Sequence, residues 1–288
     1  MQEIWDSLVK GLRSYCTASG LSDVVFGLSG GLDSALVAVL ACEALGKDKV
    51  HAVVMPSRFS SELSIQITEE MHDIHGFDMR TFDIQPLTDL ALKQAQVLFG
   101  EKPNLAALEN VQARIRGPIV LGLLGNQFGW LPLCCGNKSE AMLGYATLGG
   151  DTFGGLAPIA NLYKTQIFEL AKWRNLQSTA FPEEVITRAP SAELSENQTD
   201  EKSLNITYVL ADSILAMLET GKTKEQISAM NFANEEQITN VLNLVEKNAF
   251  KRYCIPQSIN IVAPLAKSVQ NTLPLSAATE YAKKFNLF

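Results

Sequence analysis

The feature that most constrains this chain is the stretch from Val24 to Leu45, VVFGLSGGLDSALVAVLACEAL. A short β-branched run opens it, an Ala/Leu/Val-rich segment at helical spacing closes it, and a glycine-containing turn, residues 29–34, lies between them. This order predicts a strand, a loop and a helix. Glycines let backbone N–H groups approach an anion, and a helix start adds unpaired donors and the positive end of a dipole. We therefore expect a phosphate-binding loop, the alternative being an ordinary turn at a helix N-cap.

The loop lacks the Gly-Lys-Ser/Thr ending of a Walker loop and is not GxGxxG. Its sequence SGGLDS resembles the SGGxDS pyrophosphate loop of enzymes that split ATP into AMP and pyrophosphate. Ser29 and Ser34 can add hydroxyl donors to such a loop, and Asp33 can hold a divalent cation against the phosphates.

Composition limits the class of protein. The 288 residues are 47% apolar and 19% charged, as in a soluble globular protein. A net charge of −7 argues against a general nucleic-acid binder. No apolar run approaches the roughly 20 residues that span a bilayer, so we expect no membrane partner. The five cysteines are odd in number and form no CxxC pair, which favours reduced thiols and a cytoplasmic location.

Strand and helix patterns alternate through the first half of the chain. We predict strands at 24–28, 50–55, 78–84 and 130–135, and helices at 3–18, 33–45, 61–75, 86–99, 105–128 and 163–173. This alternation predicts an α/β fold, a doubly wound parallel sheet covered on both faces. Ligands bind at the carboxyl ends of the strands in such sheets, where the loop at Ser29 would lie.

The pattern changes after Gly136. Residues 144–158 are rich in glycine and predict a functional loop, and residues 182–201 predict a mobile segment. Helices are predicted at 206–218, 224–230 and 235–250, with a short closing helix near 277–285. We expect a single domain over 1–288, in which a nucleotide-binding α/β core, 1–175, precedes a mobile loop and C-terminal helices, 176–288.

Further motifs make the resemblance specific. In addition to the loop, the chain contains ENVQAR at 109–114, GNKSE at 136–140, GYAT at 144–147, GD at 150–151, LYKTQ at 162–166, APSAEL at 189–194, QTDE at 198–201 and KR at 251–252. Together these segments, over roughly residues 20 to 255, resemble the NAD synthetase family, a branch of the N-type ATP pyrophosphatases. The resemblance implies an adenine nucleotide alpha hydrolase-like, Rossmann-like sheet with a helical C-terminal part.

The resemblance also implies a two-step ligase reaction. The nicotinate carboxylate of deamido-NAD attacks the α-phosphorus of the co-substrate ATP, giving an acyl-adenylate and pyrophosphate. Ammonia then attacks the acyl carbon, giving NAD and AMP. A carboxylate needs such activation because it does not react with ammonia until it carries a good leaving group.

Matching positions carry the implied roles. Asp33, Glu140 and Lys164 would be catalytic, and Asp33 and Glu140 would hold Mg²⁺. The implied ATP contacts are Gly27, Leu28, Ser29, Gly30, Gly31, Leu32, Asp33, Ser34, Cys135, Lys164 and Ser191. The implied deamido-NAD contacts are Arg114, Leu148, Gly155, Lys251 and Arg252. Outside the motif, Glu140 could be an exposed carboxylate at a helix start, and the lone Lys and Arg residues could be solvated surface charges.

Three positions depart from the ammonia-dependent bacterial pattern. Cys135 stands where a threonine usually contacts ATP, and Leu148 and Gly155 stand where a lysine and an aspartate usually contact deamido-NAD. These departures leave open whether deamido-NAD or nicotinate mononucleotide is amidated.

The nitrogen source and the partners follow from the same resemblance. GNKSEAMLGYATLGGD and LAKWRN look more like the synthetase domain of glutamine-dependent enzymes, which carry an additional N-terminal amidase domain. Because the synthetase pattern begins almost at Met1, we expect free ammonia or a separate glutamine amidase partner. The family also implies a homodimer, formed partly by the helix after Asn104. The alternatives are another ATP pyrophosphatase, such as a tRNA-modifying enzyme, and an inactive nucleotide-binding protein.

Overall fold

The structure, a computed structural model, describes residues 1–196 and 198–261. Its centre is a parallel four-stranded sheet in the order β3-β2-β1-β4. The strands are β1 (Val24–Gly27), β2 (Val50–Val54), β3 (Asp78–Thr81) and β4 (Leu131–Pro132). In the register, Val24 of β1 lies opposite Val50 on one side and Leu131 on the other. The predicted parallel α/β architecture is confirmed.

Fourteen α-helical segments occur in the described residues, and a short π-helical segment joins two of them. The first eight are α1 (Gln2–Ser19), α2 (Leu32–Leu45), α3 (Glu62–His75), α4 (Gln85–Phe99), α5 (Leu105–Arg114), α6 (Gly122–Phe128), α7 (Lys138–Leu143) and α8 (Lys164–Asn175). The others are α9 (Glu183–Thr187), α10 (Asp200–Leu204), α11 (Tyr208–Glu219), α12 (Lys224–Ser228), α13 (Glu235–Lys247) and α14 (Ala249–Arg252).

Both faces of the sheet are buried. Successive residues of a strand point to opposite faces, so Val24 and Phe26 contact one apolar cluster and Val25 contacts another. The first cluster also contains α1, α2 and α8, and the second contains residues near the start of α4 and in the π-helical segment. Helices therefore cover the sheet on two sides, as predicted for a doubly wound fold.

The fourth strand is shorter than the predicted 130–135. Only Leu131 and Pro132 pair with β1, although the N–H of Leu133 still donates to Val25 O (2.8 Å). Beyond Leu133, the N–H of Cys134 donates to Leu156 O (2.9 Å) in the glycine-rich segment 144–158. The chain after Pro132 is therefore tied to that segment.

The helix predicted over 105–128 is interrupted. Residues Ile115–Leu121 between α5 and α6 form a π-helical segment that contains Pro118. Proline lacks the N–H needed for an α-helical hydrogen bond, and the wider turn accommodates it.

The C-terminal helices form a separate apolar cluster. Helices α11, α12 and α13 contribute most of it, and Leu143 and Tyr163 join it to the regions around α7 and α8. The predicted closing helix at 277–285 lies outside the described residues. Among the described residues, no helix is long and apolar enough to cross a membrane.

Candidate active site

The glycine loop lies where β1 ends and α2 begins, at the carboxyl edge of the sheet. Gly30 has a φ of 77°, and a Cβ added there would lie 2.4 Å from Ser64 O in α3. Both the left-handed backbone and the close approach require glycine. Gly31 is the N-cap of α2 and provides no side chain to cap its first N–H groups. The loop thus has the form of an anion-binding helix start.

The two serines of this loop bond within it. Ser34 Oγ donates to Gly31 O (3.0 Å), and Ser29 N donates to Ser34 Oγ (3.1 Å). Gly31 N donates to Ser29 Oγ (3.2 Å). These bonds hold the loop in a compact shape, in which both hydroxyls lie at the cavity wall.

Three predicted catalytic side chains meet beside the loop. The Nζ of Lys164, the first residue of α8, donates to Asp33 Oδ2 and lies 3.6 Å from Glu140 Oε1. Asn137 Nδ2 donates to Asp33 Oδ1 (3.0 Å), while Asn137 N donates to Glu140 Oε2 (3.1 Å) within the capping box of α7. Only 3% of the surface of Lys164 is exposed. The alternative of a solvated surface lysine is therefore wrong.

Burial and mutual repulsion set the charge balance of this cluster. Burial, with added repulsion from Asp33, raises the pKa of Glu140 to about 8 although Lys164 opposes the shift. Burial alone would lower the pKa of Lys164, but the carboxylates of Asp33 and Glu140 raise it above its ordinary value. The two carboxyl groups thus favour the charged form of Lys164.

Asp200 is a third carboxylate in this region that the sequence did not single out as a site residue. It is buried, its Oδ2 accepts from Tyr208 Oη (3.1 Å), and its Oδ1 has no hydrogen-bond partner among the described residues. Burial raises its pKa. In the sequence, only its position in the QTDE segment marked Asp200 as a possible site residue. The fold brings α10 to the wall of the cavity beside the glycine loop.

A cavity of about 420 Å³ joins these groups. Most of the predicted ATP contacts line it: Gly27, Leu28, Ser29, Gly31, Leu32, Asp33, Ser34, Cys135, Lys164 and Ser191. Leu28 and Leu32 have side chains buried in the core, so their backbone is the part available to a nucleotide. Burial raises the pKa of the Cys135 thiol well above its ordinary value, so Cys135 contributes an uncharged thiol to the cavity wall.

Fewer of the predicted dinucleotide contacts reach this cavity. Lys251 lines it, and its Nζ donates to Gly144 O (2.7 Å) and Ala146 O (2.9 Å). Arg252 does not line it, because its Nη1 donates to Val245 O (2.9 Å) at the end of α13.

The remaining three also lie outside the cavity. Arg114 is exposed and its Nε donates to Leu148 O (3.2 Å), so these two residues lie together. Gly155 packs against β4, where an added Cβ would lie 2.6 Å from Leu131 Cδ1. A larger residue at Gly155 would therefore displace the end of the Leu131 side chain.

Arg116 is a site residue that sequence reasoning missed. It lines the cavity, and its Nε donates to Met55 O (3.1 Å) at the end of β2. Burial lowers its pKa to about 10, although Asp151 and Glu193 favour its charged form. Residues two apart in a helix point to nearly opposite sides, so only one of Arg114 and Arg116 can face the cavity, and the motif at 109–114 pointed to Arg114. The π-helical segment that begins at Ile115 was signalled only by Pro118.

Glu193 joins two segments at the cavity mouth. Its carboxylate accepts hydrogen bonds from Ser61 N (3.2 Å), Ser61 Oγ (2.8 Å) and Ser64 Oγ (2.8 Å) at the start of α3. It also accepts from Arg188 Nη2 (2.9 Å). Despite burial, these bonds lower the pKa of Glu193. The segment after Pro190 is thereby fastened to the loop that precedes α3.

The donor set suits a hard divalent cation that keeps water ligands. Asp33 and Glu140 face one cavity beside the anion-binding loop, and among the described residues no group of three metal-ligating side chains could enclose an ion. Mg²⁺ is commonly bound by one or two carboxylates together with phosphate oxygens and water. The two carboxylates therefore fit Mg²⁺ delivered with a nucleotide better than a resident metal.

A parallel sheet, an anion-binding loop at its carboxyl edge and a carboxylate–lysine cluster in the adjoining cavity define a nucleotide-binding α/β enzyme. The comparisons with known proteins narrow this class. The chain belongs to the NAD synthase family, whose family model matches residues 4–255.

Curated relatives are glutamine-dependent NAD(+) synthetases. The chain is 43% identical over 253 residues to that of Acinetobacter baylyi, a match that covers 87% of this chain and 46% of the relative. It is 44% identical over 253 residues to that of Xylella fastidiosa, with the same coverage. The chain thus spans about half the length of the curated relatives it matches.

Solved structures agree on the fold. The NMN synthetase of Francisella tularensis superposes with a TM-score of 0.75 at 28% identity, covering 87% of this chain and 95% of that one. The NH3-dependent NAD synthetase of Campylobacter jejuni gives 0.70 at 30% identity with the same coverage. The glutamine-dependent NAD+ synthetase of Acinetobacter baumannii, solved with ADP, gives 0.63 at 36% identity, covering 87% of this chain and 45% of that one.

Proposed function

We propose that this chain amidates deamido-NAD to NAD in an ATP-dependent reaction with ammonia as the nitrogen donor. The observation that carries the proposal is the meeting of Lys164, Asp33 and Glu140 beside the glycine loop in one cavity. Family membership supports the reaction class. It also weighs against a tRNA-modifying enzyme, as does the net charge of −7.

The chain's own groups would serve the first step by positioning and by neutralising charge. The nicotinate carboxylate attacks the α-phosphorus, and the bond to the leaving pyrophosphate breaks. Backbone N–H groups of the glycine loop and the ammonium of Lys164 would face the charge that develops on the phosphate oxygens. Mg²⁺ held by Asp33 and Glu140 would supply further neutralisation when it is bound with ATP.

The second step needs a protected acyl-adenylate. Ammonia attacks the acyl carbon, the carbon–oxygen bond breaks, and AMP leaves. The segment fastened by Glu193 would cover the cavity and limit hydrolysis by water. Of the predicted dinucleotide contacts, Lys251 lies at the cavity wall, where Arg116 adds a further cation. Arg114, Leu148, Gly155 and Arg252 would have to act from outside the cavity.

Nicotinate mononucleotide is the second candidate substrate. The structural similarity to an NMN synthetase favours it, as do Leu148 and Gly155 in place of the charged pair expected for a dinucleotide. Both substrates present the same nicotinate carboxylate, so the adenylation chemistry is unchanged.

The nitrogen source and the assembly are further parts of the proposal. The curated relatives are named for glutamine, and this chain matches about half of each, so either free ammonia or a separate glutamine amidase would serve it. We also propose a homodimer through α4–α6, which expose Val97, Leu98, Leu105, Ile119 and Leu123. The single-domain organisation and a cytoplasmic location complete the proposal, and the five free thiols are consistent with a reducing compartment.

A matrix of substrates tests this function. AMP is measured for the purified protein with Mg·ATP and either deamido-NAD or nicotinate mononucleotide, each with ammonium chloride or with glutamine. We expect AMP and NAD in equal amounts from deamido-NAD and ammonium, and little from glutamine alone. Preference for the mononucleotide would replace the first candidate by the second. No AMP from any pair would contradict the ligase function.

A further inference from the structure

Asp212 is a buried carboxylate that does not line the active-site cavity. It belongs to α11, and only 3% of its surface is exposed. It nevertheless accepts hydrogen bonds from two other helical starts. Ser139 Oγ of α7 donates to Asp212 Oδ1 (2.5 Å). Thr165 of α8 donates to Oδ2 twice, from N (2.9 Å) and from Oγ1 (2.8 Å).

Each of these donors is the chain neighbour of a site residue. Ser139 precedes Glu140, and Thr165 follows Lys164. The N–H of Lys164 also donates to Ser139 Oγ (2.8 Å), so this hydroxyl accepts a hydrogen bond from the start of α8 and donates one to Asp212. One carboxylate therefore fixes the first turns of α7 and α8 relative to each other.

The electrostatics favour a carboxylate at this position. The first N–H groups of a helix lack intrahelical partners, and a negative charge is stabilised there by the helix dipole. Burial still raises the pKa of Asp212 to about 6, against the effect of its hydrogen bonds. An amide in its place could accept through only one atom, so one of the two helix starts would face an N–H₂ group.

We propose that Asp212 is a positioning residue that holds Lys164 and Glu140 against Asp33 by fixing the starts of α8 and α7. It does not touch the substrates. The proposal rests on the adenylation function given above, because its consequence is the correct placement of charges around the phosphates.

The direct test is Asp212→Asn, with Ser213→Ala as the matched control. Ser213 is the next residue of α11, is also buried, and donates only to Val209 O of its own helix. We expect kcat to fall 10- to 100-fold in Asp212→Asn, as is typical for residues that orient ligating groups. The KM for Mg·ATP should rise by no more than about tenfold, because the glycine loop is intact and only the Mg²⁺-dependent part of binding is weakened. Ser213→Ala should keep both values. A kcat within twofold of wild type in Asp212→Asn would overturn the proposal.

A second set of variants, at the donors to Asp212, tests the same role if Asp212→Asn does not fold. Thr165→Val has the same shape but loses the hydroxyl donor, whereas Thr165→Ser keeps it. We expect a loss of kcat in the valine variant and near-normal kcat in the serine variant, with similar unfolding temperatures. Adding Ser139→Ala to Asp212→Asn should cost no more than Asp212→Asn alone, since both interrupt one path. Equal kcat in the two Thr165 variants, or fully additive losses in the double variant, would contradict the positioning role.

A binding measurement tests the role of Asp212 independently of the proposed amidation activity. The affinity for ATP is measured by calorimetry with and without Mg²⁺. Asp212→Asn should weaken the Mg²⁺-dependent part about tenfold, whether or not the wild-type protein amidates a nicotinate nucleotide. Unchanged Mg²⁺ dependence would overturn the role of Asp212 even if wild-type turnover establishes the ligase. If the wild type is inactive but Asp212→Asn still weakens the Mg²⁺-dependent affinity for ATP, only the ligase function would be rejected.

Discussion

At the scale of single residues, the central feature is one buried cation shared by two carboxyl groups. Lys164 compensates Asp33 and Glu140, which would otherwise repel each other in a desolvated cavity. In the free protein, Lys164 neutralises these two carboxyl groups. Binding of a metal ion and phosphates would change that charge balance. Placing these three charged groups together thus favours nucleotide binding and lowers the free energy of unfolding.

Glu140→Gln separates these two effects. Glutamine keeps the acceptor that Asn137 N uses in the capping box and removes the repulsion with Asp33. We expect an unchanged or higher unfolding temperature together with a loss of turnover of about 100-fold. Glu169→Gln, at an exposed ion pair on α8, should change neither quantity. Lower stability with normal turnover would contradict the assignment of Glu140.

Whether a site residue can be predicted from the sequence depends on whether a local motif or a tertiary contact defines its role. Asp33, Glu140 and Lys164 belong to short local motifs, and the structure brings them together as expected. Arg116 and Asp212 could not be chosen, because Arg116 is defined by its contact with Met55 after β2 and Asp212 by contacts between helices far apart in sequence. A residue that acts through tertiary contact has no local signature.

At the scale of elements, Glu193 links the segment after Pro190 to the start of α3. Its backbone has a φ of 48°, a left-handed conformation that is uncommon outside glycine, and its side chain bonds compensate for that strain. Both connected segments border the cavity, so one carboxylate couples their positions.

Glu193→Ala should release this link. We expect cleavage by a protease within 188–200 to become faster by on the order of tenfold in the absence of ligand, because several charge-assisted hydrogen bonds are lost. Glu196→Ala provides the control, since Glu196 lies in the same segment with an exposed side chain. Equal cleavage rates for the two variants and the wild type would exclude Glu193 as the link.

Elements were predictable where periodicity is strong. The first two strands, α2 and α3 lie close to their predicted bounds, because continuous apolar runs and clear caps define them. The third strand ends at Thr81, three residues before its predicted end, and none of its residues is buried. The fourth strand and the helix over 105–128 were wrong in detail. In the helix, Pro118 changed the backbone hydrogen bonding without changing the hydrophobic pattern. In the fourth strand, the N–H of Cys134 donates to Leu156 O of segment 144–158, a long-range pairing that the hydrophobic pattern does not show.

At the scale of the whole molecule, the alternation of elements indicates a parallel sheet, but the strand order β3-β2-β1-β4 depends on long-range pairing. That order brings the starts of α2, α7 and α8 to one cavity. It also leaves the apolar side chains of α4–α6 exposed, away from any covering element in the described residues.

Leu123→Glu tests whether that exposed face joins two copies of the chain. A charge in a buried apolar interface is costly, so we expect the variant to sediment as a monomer and the wild type as a dimer. Leu176→Glu is the control, because Leu176 is equally apolar and 83% exposed, at the end of α8. Dissociation by the control, or a dimer that survives Leu123→Glu, would place the interface elsewhere.

We propose that this cavity activates a carboxylate by transferring AMP to it. The most direct measurement uses deamido-NAD labelled with ¹⁸O in its nicotinate carboxylate, with Mg·ATP and ammonium, and mass analysis of the products. The bridging oxygen of an acyl-adenylate remains with phosphorus when ammonia displaces AMP. We predict one labelled oxygen in each AMP formed with NAD, and none in pyrophosphate. AMP without label would contradict the account, because the carboxylate would then never have been joined to the α-phosphorus.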